Sequence, residues 1–285
     1  MLDGENVYTL LKTATKFLKS KGLSEPKSDA EVLLSFVLQI KRSQLPLLRS
    51  QKPTDKQILQ YENYVLKRSN RKPAAYIIGV ADFMGFEFKV DKNVLIPRPE
   101  TEILVEVALK IAKEKNKKSI LDLCTGSGCI AISLAKLGIF EVIVAVASDI
   151  SVNALSIAKE NALINNAFNI KFIESDIFEK IPDCKFDMIV SNPPYVTEYE
   201  YANLEPELKF EPKNALTAQD DGLFFYKEIA ANTTKYLNSN GYIILELNSN
   251  KAEDIRQIFL DNKYTDIEII NDYSGLPRIL KALKS

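Results

Sequence analysis

The chain contains no histidine among its 285 residues. That absence excludes imidazole acid/base catalysis, Ser-His-Asp and Cys-His nucleophile systems, and every zinc site that needs an imidazole ligand. Tryptophan is absent as well, and cysteine is scarce. Cys124, Cys129 and Cys184 cannot all pair, and a chain long enough to bury a large core needs no disulfide staples, so a reducing compartment, the cytoplasm, is expected. Two thiols five positions apart, with no histidine near, make a poor metal site; packing is their expected role, and no metal is expected. Long apolar runs are also missing. None approaches a bilayer span, and Asp3 and Glu5 stand where a signal peptide would be basic or apolar, so neither targeting nor membrane association is expected. What is present, 46% apolar and 26% charged residues, suits a folded globular protein.

A net excess of either charge is lacking too, but the value of -1 conceals an asymmetry. Residues 1–72 carry 14 Lys/Arg against 7 Asp/Glu, and the remainder carries 23 against 31. A basic end of this kind suits an acidic partner, although a solvated helical surface would look the same.

Leu10, Leu11, Ala14 and Leu18 share a helical face, as do Val32, Leu33, Phe36 and Val37. Ser28-x-x-Glu31 and Thr54-x-x-Gln57 have capping-box spacing, the second before a helix over 57–68. These segments predict a small helical bundle. The runs 75–80 and 86–90 read as a linking β-hairpin. From Pro99 onward, strands at 119–123, 142–148, 170–173, 186–191 and 242–247 alternate with helices at 101–113, 130–136, 152–165, 224–237 and 251–260. Such alternation predicts an α/β fold with a largely parallel sheet.

The first of these strands runs into Asp122-Leu123-Cys124-Thr125-Gly126-Ser127-Gly128-Cys129, with a helix after it. Gly126 and Gly128 allow a tight turn and close approach of a ligand to the backbone. Asp149, twenty-one residues past Gly128, closes the next strand, where a carboxylate can accept both hydroxyls of a ribose. A nucleoside-containing cofactor is implied. Gly126-x-Gly128-x-x-Ala131 also satisfies a dinucleotide fingerprint, so a dehydrogenase stays open at this point. Asp122 within the strand end is more typical of S-adenosylmethionine enzymes, where it would face the amino-acid end of the ligand.

Specific chemistry enters at Ser191-Asn192-Pro193-Pro194-Tyr195. Two consecutive prolines fix φ and carry no amide hydrogens, so the Pro193 carbonyl is held rigidly without a competing donor. With the Asn192 side-chain oxygen it offers two acceptors to a planar NH₂ group, and Tyr195 supplies an apolar wall. An amide nitrogen is delocalised, as the roughly 18–20 kcal/mol barrier to peptide rotation shows. Acceptors that draw both hydrogens favour a more pyramidal nitrogen with its lone pair aimed at a methyl donor. A site of this kind works by orientation and electrostatics and needs no strong base, which agrees with a chain lacking histidine.

With these residues in view, the chain resembles the HemK/PrmC family of release-factor glutamine methyltransferases nearly end to end. The resemblance rests on Ile96-Pro97-Arg98-Pro99-Glu100-Thr101-Glu102, the 122–128 turn, Ser191 to Tyr195, and Phe210-Glu211-Pro212. It implies a class I methyltransferase fold, Rossmann-like with a mostly parallel seven-stranded sheet. The implied domains are a partner-binding helical domain (1–72), a hairpin linker (73–98) and an S-adenosylmethionine-dependent domain (99–285). It further implies methyl transfer to the side-chain nitrogen, N5, of the Gly-Gly-Gln glutamine in class 1 peptide chain release factors. Asp122, Cys124, Thr125, Gly126, Ser127, Gly128, Asp149 and Asn192 would then contact the cofactor, and Asp176 and Ile177 would flank its adenine. Asn192, Pro193, Pro194 and Tyr195 would hold the glutamine, with Asn192 and Pro193 as the catalytic acceptors. A monomer acting on protein, not nucleic acid, is expected.

Three positions depart from the family pattern. Cys124 replaces a usual glycine, so its side chain is expected to point away from the methionine moiety or to narrow the pocket. Ile177 replaces a frequent aromatic, and Asn248 to Lys251 replace a Gly-x-x-Gln loop. Rival readings are a ribosomal-protein glutamine methyltransferase, a DNA adenine methyltransferase using the same tetrapeptide on a flipped base, and a non-catalytic cofactor-binding module. The net acidity of residues 73–285 disfavours DNA, and the intact Asn192 and Asp149 disfavour a decayed site.

Overall fold

A computed structural model describes residues 6–138 and 144–284. The chain divides into two compact units: Met1–Val80 with Glu205–Phe210, and Ala81–Leu204 with Glu211–Ser285.

The first unit is built from α1 (Val7–Ser20), α2 (Pro26–Leu38), α3 (Asp55–Ser69) and the short α4 (Ala74–Ile78). Val7, Leu10, Ala14 and Leu18 form the buried stripe of α1. On α2 the buried stripe is Ala30, Leu33, Leu34 and Val37, one step around from the expected face, and Phe36 is exposed beside Tyr64. Thr54 caps α3 in the predicted box with Gln57. The box at Ser28 does not form, because Pro26 starts α2 earlier; an unforeseen one forms at Asn6 and Thr9. Run 75–80 is mostly α4 instead of a strand. Ala74, Ile77 and Ile78 pack on the bundle core, and Gly79, in the left-handed region, ends the helix. Arg68, only 6% exposed, meets Asp29 at 2.9 Å and donates to Glu207 at 3.1 Å, with Arg71 on the same carboxylate at 3.2 Å. This cluster holds the Glu205–Phe210 segment in the first unit.

A hairpin of β1 (Val80–Phe83) and β2 (Phe86–Lys89) comes next, and its Phe83 and Phe88 enter the core of the second unit. There follow α5 (Pro99–Lys115), β3 (Ser119–Leu123), α6 (Cys129–Leu137), β4 (Val144–Asp149), α7 (Val152–Ile164), β5 (Ile170–Glu174) and β6 (Phe186–Ser191). The predicted start of β4 at Val142 lies outside the described residues. Then come α8 (Glu198–Asn203), α9 (Phe224–Asn232), β7 (Leu237–Glu246), α10 (Ala252–Asp261), β8 (Tyr264–Asn271) and β9 (Pro277–Lys284). The helix predicted over 224–237 is shorter: α9 stops at Asn232, and Leu237 already pairs with Phe186 as the start of β7.

The seven strands lie in the order β5-β4-β3-β6-β7-β9-β8, parallel through β7, with β9 antiparallel to both its neighbours. Side chains alternate between the faces. Ile120, Met188, Val190 and Ile244 join the core of one face, and Leu121, Ile189, Ile243 and Leu245 that of the other. Because β4 and β6 flank β3 on opposite sides, the chain reverses direction across the sheet there. A crevice opens at the carboxyl ends of these strands, where open α/β sheets bind ligands.

Candidate active site

A cavity of about 320 Å³ fills that crevice, a size in the range of small-molecule sites, roughly 300–1,000 Å³. The turn after β3 contributes Cys124 and Gly126, the end of β4 contributes Asp149, the residues following β5 contribute Asp176 and Ile177, and those following β6 contribute Asn192 and Pro194. Another wall is the 212–219 segment, folded back so that the amides of Tyr195 and Val196 donate to the Leu216 carbonyl and Ala218 donates to Val196.

The glycine turn is pinned from below. Thr125 and the Ala131 amide donate to Asp122 Oδ2 at 2.6 and 3.2 Å. The Gly126 amide donates to Asp149 Oδ2 at 2.9 Å, and the Ser151 amide to Oδ1 at 2.9 Å. Asn161 on α7, wholly buried, donates to the carbonyls of Ser127 and Lys89 and accepts from the Lys89 amide. Gly126 has φ +54°, and a Cβ built there would have no atom within 4 Å. Open space therefore lies directly against its backbone, as a closely bound ligand needs.

The expected site residues do not all reach the cavity. Cys124, Gly126, Asp149, Asp176, Ile177, Asn192 and Pro194 line it. Asp122 does not: strand alternation turns it to the α6 side, where it is fully buried and organises the turn and the first turn of α6, instead of facing a ligand. Thr125, Ser127 and Gly128 sit behind the lining, as does the buried Pro193. Tyr195 turns its hydroxyl inward to Glu246 Oε1 at 3.3 Å. Cys124 lines the cavity in the left-handed region, with φ 57°, and burial raises its thiol pKa so that it stays protonated. Ile177 is also left-handed, unusual for a β-branched side chain, and is held by the Ser175 hydroxyl donating to its carbonyl at 3.2 Å. The departing loop at Asn248 closes as a 3₁₀ turn over Ser249–Lys251, with the Asn248 side chain capping Asn250.

Two motif stretches prove to be one clamp. Glu211, 5% exposed, accepts from the Ile96 amide at 3.0 Å and from Arg98 at 2.5 Å, fastening the segment before α5. Thr101, in the first turn of α5, donates to Glu246 Oε2 at 2.5 Å and accepts from Asn192 Nδ2 at 3.2 Å. Burial pushes the Glu246 carboxyl above its ordinary range, opposed by the Thr101 and Tyr195 hydroxyls and the nearby Arg278. Glu246 lies outside the motifs that mark the site in the sequence. A lone carboxylate inside the apolar run Tyr-Ile-Ile-Leu-Glu-Leu was the available signal.

These features fit S-adenosylmethionine: a nucleoside-sized cavity, a carboxylate at the end of the second parallel strand, open space at a glycine backbone and apolar walls at Ile177 and Pro194. The T. thermophilus 16S rRNA N2 G1207 methyltransferase, solved with AdoMet and guanosine, superposes with a TM-score of 0.53 over 72% of this chain and 50% of that one, at 20% identity. The methyltransferase small domain family matches residues 99–220, and the PrmC N-terminal domain family residues 9–79. Fold and site together define a class I, S-adenosylmethionine-dependent methyltransferase. The release factor glutamine methyltransferase of Fusobacterium nucleatum is 39% identical over 99% of this chain and 80% of its own length. That of Aquifex aeolicus is 35% identical over 97% and 98%. The chain belongs to the release factor glutamine methyltransferase family.

Proposed function

We propose that this protein transfers a methyl group from S-adenosylmethionine to N5 of the Gly-Gly-Gln glutamine in class 1 peptide chain release factors. The observation that carries this reading is Asn192-Pro193-Pro194-Tyr195 leaving β6, with Asn192 and Pro194 lining the cavity that Gly126 and Asp149 also line. When bound, S-adenosylmethionine supplies an electrophilic methyl group on a positively charged sulfur. Asp149 holds the ribose, Asp176 and Ile177 flank the adenine, and the Cys124 to Gly128 turn with Asn192 cradles the remainder. Asn192 Oδ1 and the Pro193 carbonyl accept the two hydrogens of the glutamine amide, while Pro194 and Tyr195 bound its side chain. The proton leaves after transfer, so no strong base is required.

The basic helical unit carries the release factor. Its supporting feature is a groove of about 830 Å³ in that unit, along which Lys12, Lys16 and Lys19 form one stripe of α1 with Arg42 and Arg49 nearby. The protein works as a monomer in the cytoplasm and takes no nucleic acid as substrate.

Labelled S-adenosylmethionine offered with release factor, its Gln→Ala variant and duplex DNA tests this function. Label is expected in the unmodified release factor alone. Label in DNA, or undiminished label in the Gln→Ala variant, overturns it.

A further inference from the structure

One buried carboxylate reaches both ends of the tetrapeptide. Glu246 Oε1 accepts from the Tyr195 hydroxyl, and Oε2 from the Thr101 hydroxyl, whose oxygen in turn accepts from Asn192 Nδ2. The sheet explains the convergence. Asp122, Val190 and Glu246 lie on the same face of adjacent strands β3, β6 and β7, and that face is covered by α5, which presents Thr101.

We propose that Thr101 and Glu246 are positioning residues that set which end of the Asn192 amide faces the substrate. A hydroxyl has one proton. Once Thr101 commits it to Glu246, only lone pairs remain toward Asn192, which must offer its NH₂ end. The carbonyl oxygen is then the end left to the cavity that Asn192 lines. An amide turned through 180° has nearly the same shape but presents donors where the glutamine NH₂ needs an acceptor. Shape cannot exclude the turned amide, whereas this hydrogen-bond polarity does. The device explains why a central strand tolerates a carboxylate that is 2% exposed, a placement that is otherwise costly.

This inference rests on the reading that Asn192 accepts from the glutamine amide, and the variants separate the two. Thr101→Val removes the relay at nearly constant volume, and Thr101→Ser keeps it. Glu246→Leu removes the acceptor that holds the Thr101 proton and leaves that proton free to turn toward Asn192. Thr101→Val and Glu246→Leu are expected to lower kcat by about 10²-fold, while KM for release factor and the S-adenosylmethionine Kd from calorimetry stay within about threefold. Thr101→Ser is expected to recover most of kcat. A kcat for Thr101→Val near that of the unmodified enzyme, or Thr101→Ser as impaired as Thr101→Val, overturns the positioning role. Should Thr101→Val not fold, Glu246→Leu alone carries the test, and unchanged kcat there overturns it. Asn192→Ala is the control on the underlying reading. Retained turnover in that variant defeats the acceptor role itself, whereas its loss beside an unaffected Thr101→Val defeats only the positioning.

Discussion

Asp122 shows how a residue chosen for chemistry can be held for architecture. Its carboxylate is fully buried, Oδ1 has no hydrogen-bond partner among the described residues, and burial pushes its pKa up to about 7 against the lowering effect of Thr125 and the Ala131 amide. In the unfolded chain the group titrates near ~4. Between these values the native state binds the extra proton, so the contribution to stability is complete below about pH 4 and is lost as pH rises through about 7, on the order of a few kcal/mol. Asp122→Asn keeps an acceptor for Thr125 and Ala131 and cannot ionise. Its melting temperature is expected to fall less between pH 5 and pH 8 than that of the unmodified protein, as read by thermal denaturation at each pH. Parallel pH curves for the two proteins would contradict this account.

At the scale of elements, the glycine turn is shaped as much by α7 as by its own glycines. Asn161 ties the Ser127 carbonyl in the turn to both backbone polar groups of Lys89 at the end of β2. Asn161→Ala leaves these groups unpaired and is expected to cost about 2–4 kcal/mol, seen as a lower denaturation midpoint with unchanged m-value. Because the same turn adjoins the cavity, the Kd for S-adenosylmethionine should weaken in parallel; an unchanged Kd would detach the turn from binding. A comparable constraint holds the tetrapeptide, since a Cβ at Gly222 would lie 2.5 Å from the Tyr195 carbonyl oxygen. The segment beyond Tyr195 can close over the site only with glycine there.

For the whole molecule, the proposed function gives the basic and the acidic parts of the chain different work. Reversing the α1 stripe with Lys12→Glu, Lys16→Glu and Lys19→Glu together is expected to raise KM for release factor about tenfold at low salt and less at high salt. Turnover of a short Gly-Gly-Gln peptide, too small to use the groove, should not change. Steady-state kinetics on both substrates check this, and an unchanged KM for the full protein would remove the groove from recognition.

Much of the fold was legible locally. Period-2 and period-3.6 patterns located the parallel strands and the helices between them, because backbone conformation follows from neighbouring residues. The reading failed where tertiary packing overrode local preference, as at Ala74–Ile78, drawn into a helical turn by the bundle core, and at Leu237, taken into β7 by pairing with Phe186. By itself the sequence determined the α/β class, the glycine turn, Asp149, and the Asn-Pro-Pro-Tyr motif, whose proposed acceptor role suits a methyl transfer without histidine. Only the tertiary structure decided that Asp122 turns away from the cavity, that Glu211 clamps Arg98, and that Thr101 bridges Asn192 and Glu246. The bonds of Glu211 to Arg98 and of Thr101 to Asn192 and Glu246 join residues 91 or more apart, and they depend on strand order across the sheet, which order along the chain does not encode.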